Sequence, residues 1–173
     1  MTCKALCLCV PVALCVLVGA CSDPSTAGHS DLIVRATTDK SFQDVVDELE
    51  FAISERNFRI TGANKIGSAL RERGYKDFPD MQVIHFCSLE YAREALEIDP
   101  GYLAMMPCRI TVHVQAGMTV ISLILLPENH PDPRVNAFAR RMNDMLREIM
   151  EFALEENAPG TASTKPEPAG SGP

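Results

Sequence analysis

No run of five or more lysines and arginines occurs in the chain, and its formal net charge is -7. Nucleic acid is thereby excluded as a partner, because phosphate binding needs a concentrated basic patch. Also missing are a glycine-rich phosphate loop, a Ser-His-Asp order and a pair of carboxylates placed for acid-base work. With no complete catalytic motif, the chain reads as non-enzymatic. Cysteine is scarce beyond the first 21 residues: Cys3, Cys7, Cys9, Cys15 and Cys21 crowd that segment, and only Cys87 and Cys108 follow. The early apolar run, residues 5–19, falls short of the roughly 20 residues that a membrane-spanning helix needs.

That run has instead the length of a signal-peptide core, with Lys4 ahead of it and Val18-Gly19-Ala20-Cys21 closing it. Small residues before a cysteine mark a cleavage site, and the segment resembles a bacterial lipoprotein signal. Removal of residues 1–20 is expected, with Cys21 carrying diacylglycerol and a further acyl chain such as palmitate. Two or three chains anchor firmly, since each buried methylene contributes about 0.8 kcal/mol and one chain holds only marginally. The expected location is the cell envelope, membrane-anchored and facing the periplasm or the exterior. Residues 21–30 are polar and rich in turn formers, which suits a tether. Residues 158–173 contain four prolines and three glycines without a large apolar side chain, the composition of a disordered tail.

Between these ends, residues 31–157 suit one core, as 46% hydrophobic and 23% charged composition over 173 residues implies. Leu32-Ile33-Val34 begins a first strand. Ser41 with Asp44 three residues later has the form of a capping box, and Phe42, Val45, Val46, Leu49, Ala52 and Ile53 follow at helical spacing. Phe58 to Thr61 reads as a second strand, Lys65 to Arg73 as a short helix stopped by Gly74, and Met81 to Cys87 as a third strand. Leu89 to Ile98 is predicted helical, Asp99-Pro100-Gly101 a turn, and Cys108 to Gln115 with Met118 to Leu126 a hairpin about Ala116-Gly117. Asp132-Pro133 caps a long closing helix striped by Val135, Phe138, Met142, Met145, Ile149 and Phe152. Its arginines are expected to pair four residues apart, Arg140 with Asp144 and Arg147 with Glu151, as a solvated face.

Ala69-Leu70-Arg71-Glu72-Arg73-Gly74, Val83 to Cys87, Tyr91-Ala92 with Ala95-Leu96-Glu97, Asp99-Pro100 and Met106-Pro107-Cys108 resemble the domain of unknown function 302 family. The resemblance covers most of the span from Ile66 to Leu126. It implies an α+β fold: an antiparallel sheet of about five strands in a strand-helix-four-strand-helix order, with short inserted helices and a long C-terminal helix. In that family the first cysteine is typically followed by Asn-Pro, and the second by Asn after Leu-Pro. Ser88-Leu89 and Arg109 stand at those places here, so only the two cysteines themselves match. The family implies no settled activity.

Cys87 and Cys108 are the candidate redox or disulfide residues. Cys87 sits where a helix begins, and a helix dipole favours a thiolate; two inert core thiols are the competing account. In an antiparallel arrangement the end of one strand meets the start of the next, and thiols whose Cα atoms come within about 7 Å in an oxidising compartment would be joined. A soft-metal or haem set is collected by type from His85, Cys87, Met105, Met106, Cys108 and His113, with His85, Met106 and His113 named as weak metal candidates. Its spacing matches no known cluster, and no cofactor is expected. The run Ile121 to Leu126 is apolar on both faces, which calls for cover by a second copy, an apolar ligand or inserted helices. The chain thus reads first as a lipid-anchored, non-enzymatic binding or interaction module. The alternatives are a thiol redox or sulfur-handling protein using Cys87 and Cys108, and a soft-metal or haem carrier.

Overall fold

Local chemistry sets the ends of most elements in the computed structural model, which describes residues 32–156. The Ser41 hydroxyl accepts the Asp44 amide at 3.1 Å and donates to the Asp44 carboxylate at 2.7 Å, starting α1 (Phe42–Glu55). Asp132 accepts the Arg134 amide at 2.8 Å ahead of Pro133, starting α4 (Pro133–Leu154). Positive φ at Ala116 (50°) and Gly117 (79°) closes a two-residue hairpin between β4 (Cys108–Gln115) and β5 (Met118–Ile124). The remaining elements are β1 (Ile33–Thr38), β2 (Arg59–Asn64), α2 (Ile66–Glu72), β3 (Met81–Cys87), α3 (Leu89–Ile98) and a 3-10 helix, Pro100–Met105. The early apolar run, Cys21, the tether and the tail after Asn157 lie outside the described residues. Among those described, no helix is long and apolar enough to cross a membrane.

The five strands form one antiparallel sheet in the order β1-β5-β4-β3-β2, with a bulge in β2 between Ile60 and Gly62. This is the α+β architecture expected from the sequence. Val45, Leu49 and Ile53 of α1 and Phe138, Leu146 and Ile149 of α4 meet Ile84, Phe86, Ile110, Val112, Ile121 and Leu123 from one side of the sheet. Phe58 packs edge-on to Phe86 with centroids 5.4 Å apart and against Tyr91 of α3 at 5.5 Å. α3 also contacts α4, where Glu94 accepts from Arg141, so the inserted helix joins the same layer. Lys40, which no sequence pattern singles out, ties α1 to the end of α4: it pairs with Glu48 at 2.8 Å and donates to the carbonyls of Ala153 and Glu155.

Several expectations need correction. The second strand runs to Asn64, because β3 offers a partner as far as Val83. The turn at Asp99 continues as the 3-10 helix, with the Asp99 carboxylate accepting the Gly101 amide at 2.8 Å. Neither Arg140–Asp144 nor Arg147–Glu151 forms an ion pair. Besides the local pair of Arg134 with Asp132, the pairs made by α4 reach other elements, Arg141 to Glu94 and Glu148 to Arg56, and the Nη1 of Arg147 is buried without a partner. Nor does the run from Ile121 to Leu126 leave four large side chains in water. Ile121, Leu123 and Leu125 point into the helix layer, and Leu126, beyond the strand's end, turns into it as well. Only Val120 and Ile124 are turned to the opposite face, with Ser122 between them. The inserted helices do not cover that face.

Candidate functional site

The antiparallel pairing of β3 with β4 brings the end of one to the start of the other, as expected, but its register places Phe86 opposite Cys108. Neighbouring residues on a strand leave from opposite faces, so Cys108 shares the face of Phe86 and Cys87 sets out from the other. Both thiols are accordingly free, and the disulfide alternative is not realised. Cys87 at the strand's end and Cys108 still line one narrow cleft with Phe58, Tyr91, Tyr102 and Phe138. Its volume is 30 Å³, room for little more than a water molecule and far below the roughly 300 Å³ of a small-molecule site.

Burial pushes the Cys108 thiol from an ordinary 9.0 up to about 11, and the neighbouring Cys87 adds to the rise. Its own backbone hydrogen bond and Arg109 offset part of this. Cys87 is also raised, by burial, so desolvation outweighs the start of α3 that was expected to favour its thiolate. Thiol exchange proceeds through a thiolate, and neither group is poised as one at neutral pH. A raised folded pKa has a consequence for stability. Below pH 9.0 the Cys108 contribution is intact; as pH climbs toward 11 the unfolded chain loses its proton first, and the contribution disappears. Unfolding titrations should show about 2–3 kcal/mol lost across that window relative to Cys108→Ala, at about 1.4 kcal/mol per pH unit. Equal slopes in the two proteins would show that Cys108 ionises freely.

Of the soft-metal set, Cys87, Met105, Met106 and Cys108 line the one cleft, and the two histidines are apart from them. His85 and His113 lie on the open face of the sheet, the first opposite Arg109 and the second opposite Met81, while Met106 lines the cleft on the helix side. The His85 Nε2 is engaged by the Asn64 side-chain oxygen at 2.9 Å. Among the described residues, no group of three or more histidine, cysteine or acidic side chains is placed to hold a metal.

The second sheet face, for which the sequence calls for cover, carries a charge pattern that the sequence did not disclose. β1, β5 and β4 form a trough of 350 Å³ there, lined by Ile33, Arg35, Arg109, Thr111, Ser122 and Ile124 among others. Register stacks Arg35, Ser122 and Thr111 in one row and Ile33, Ile124, Arg109 and His85 in the next. None of the five strands contains an aspartate or a glutamate, whereas Arg35, Arg59 and Arg109 all lie on strands. In a chain of net charge -7, the acidic groups have been sorted onto helices and loops. Arginine-bearing strands without a single carboxylate were the available signal, and it acquires meaning only once their order in the sheet is known.

A single antiparallel sheet shielded by helices on one face and open on the other defines the class of α+β domain to which this protein conforms. A family model described as Domain of unknown function DUF302 matches residues 34–153, and the chain belongs to that family. The crystal structure of an uncharacterized conserved DUF302 protein from Bacillus stearothermophilus is similar in fold, with a TM-score of 0.64 at 17% identity, covering 70% of this chain and 98% of that one. No curated protein matches the sequence.

Proposed function

We propose that this chain is an envelope lipoprotein, held to the membrane by acyl chains on Cys21, whose domain acts as a non-enzymatic binding module through the open face of its sheet. The observation that carries the proposal is the asymmetry of the sheet: one face is closed by α1, α3 and α4, while the other bears a 350 Å³ trough with half-buried apolar side chains and arginines. Support for the anchor is the short apolar run ending in Val18-Gly19-Ala20-Cys21, with residues 1–20 as the removed signal, 21–30 as tether, 31–157 as the domain and 158–173 as a solvated tail. The raised thiols and the divergent departure of Cys87 and Cys108 favour a structural place for them over a redox one.

Native mass spectrometry of the full chain recovered from its own host tests both halves together. The expected result is a mature mass beginning at acylated Cys21, together with a retained molecule that is lost when Ser122→Trp fills the trough. An unprocessed chain would refute the anchor. A protein that retains nothing, or whose passenger survives Ser122→Trp, would refute the use of this face.

A further inference from the structure

We propose that the trough on the open sheet face binds a small amphiphilic anion, its carboxylate or phosphate head between Arg35 and Arg109 and its apolar part along Ile33 and Ile124. This names the ligand chemistry of the binding face proposed above and rests on that reading. Arg35 is on β1 and Arg109 on β4, with β5 between them, and both line the trough. Both are exposed, and among the described residues neither donates a side-chain hydrogen bond or pairs with a carboxylate. Below them is Ser122, whose hydroxyl has no protein partner among the described residues, and Thr111, whose hydroxyl donates to the Ser122 carbonyl at 3.4 Å. Two unpaired guanidiniums and a free hydroxyl, with no acidic group on any strand, make a site complementary to negative charge.

Apolar contact is available one row away. Ile33 is 37% exposed and Ile124 half-buried, so an alkyl or aryl group laid over them would remove both from water. A volume of 350 Å³ falls at the lower end of the range for small-molecule sites. Charge argues against a second copy of the chain seated face to face, because a twofold pairing would set one arginine-bearing, carboxylate-free face against another. A polyanion is disfavoured as well, since only three arginines are spread across the five strands and the molecule as a whole is acidic.

The test is a calorimetric titration of the full chain with octanoate, and with 1-octanol and acetate as the neutral and tailless controls. Octanoate is expected to bind one per chain, with both controls at least about tenfold weaker. Arg35→Gln and Arg109→Gln should each weaken octanoate by about tenfold, the loss of one charge-assisted hydrogen bond, while Lys76→Gln, an exposed change off the sheet, should leave it unaltered. All three positions are exposed, so folding is not at stake. The proposal is overturned if octanoate does not bind, if 1-octanol binds as well, or if Lys76→Gln weakens binding as much as the two sheet variants. Absence of octanoate binding beside a passenger stripped by Ser122→Trp would remove the anion and leave the binding module standing.

Discussion

Asn143→Leu is expected to destabilise the domain by about 2–5 kcal/mol, one of the largest effects of any single replacement. Asn143 is 2% exposed on α4, and its side chain brackets one residue: the oxygen accepts the Leu126 amide at 2.8 Å and the nitrogen donates to the Leu126 carbonyl at 3.0 Å. A second donation reaches the Glu128 carboxylate at 2.7 Å. These are the backbone groups of the chain as it leaves β5, where no neighbouring strand takes them up. Leucine keeps the branched skeleton and offers neither partner, so two buried backbone groups lose their bonds at about 1–3 kcal/mol each. Denaturant unfolding of Asn143→Leu beside the exposed Asp144→Ala checks this. A loss no greater than that of Asp144→Ala would mean that the Leu126 groups find other partners.

Gly67→Ala should be nearly as damaging, although alanine is the better helix former by about 1 kcal/mol. A Cβ at Gly67 would stand 2.3 Å from the Pro79 carbonyl oxygen, 2.8 Å from the Met81 nitrogen and 3.1 Å from the Asp80 Cα. All three are backbone, so α2 or the chain entering β3 must move. Arg71 fastens that same segment by donating to the Phe78 carbonyl and the Asp80 carboxylate, each at 2.7 Å. The strain is expected at about 3 kcal/mol or more, outweighing the gain in helix propensity, with a fall in Tm on the order of 10 °C. Gly62→Ala, where the added atom meets nothing within 4 Å, is the matched control and should be close to neutral. Equal melting temperatures for the two variants would show that α2 is not pressed against the entry to β3.

Much of the fold was legible because the signals are local. The Ser41 and Asp132 caps act on amides two or three residues away, and α1 and α4 begin where those caps place them. The limits of α3 and β4 likewise follow from apolar spacing and turn formers within a few residues. Lys40 escaped notice because its partners, the carbonyls of Ala153 and Glu155, lie more than a hundred residues away. Arg71 escaped for a different reason: a short helix with an arginine in its last turn looks solvated until the loop folds back on it. The apolar run from Ile121 to Leu126 is misleading because its composition continues the strand through Leu125 and Leu126, whereas pairing ends at Ile124 and both residues turn toward the helices.

From the amino-acid order alone come the positions of most helices and strands and the hairpin about Ala116-Gly117, since each depends on spacing and turn chemistry over a few residues, while the α+β class was implied by the resemblance to the DUF302 family. Tertiary structure alone decided which face each strand residue takes and what stands across from it. Register set Cys108 against Phe86 instead of Cys87, leaving two protonated thiols, and the order β1-β5-β4 carried Arg35 and Arg109 to one trough. A shift of one residue in a strand exchanges its two faces, and strand order joins segments far apart in the chain, so neither is written in any local pattern.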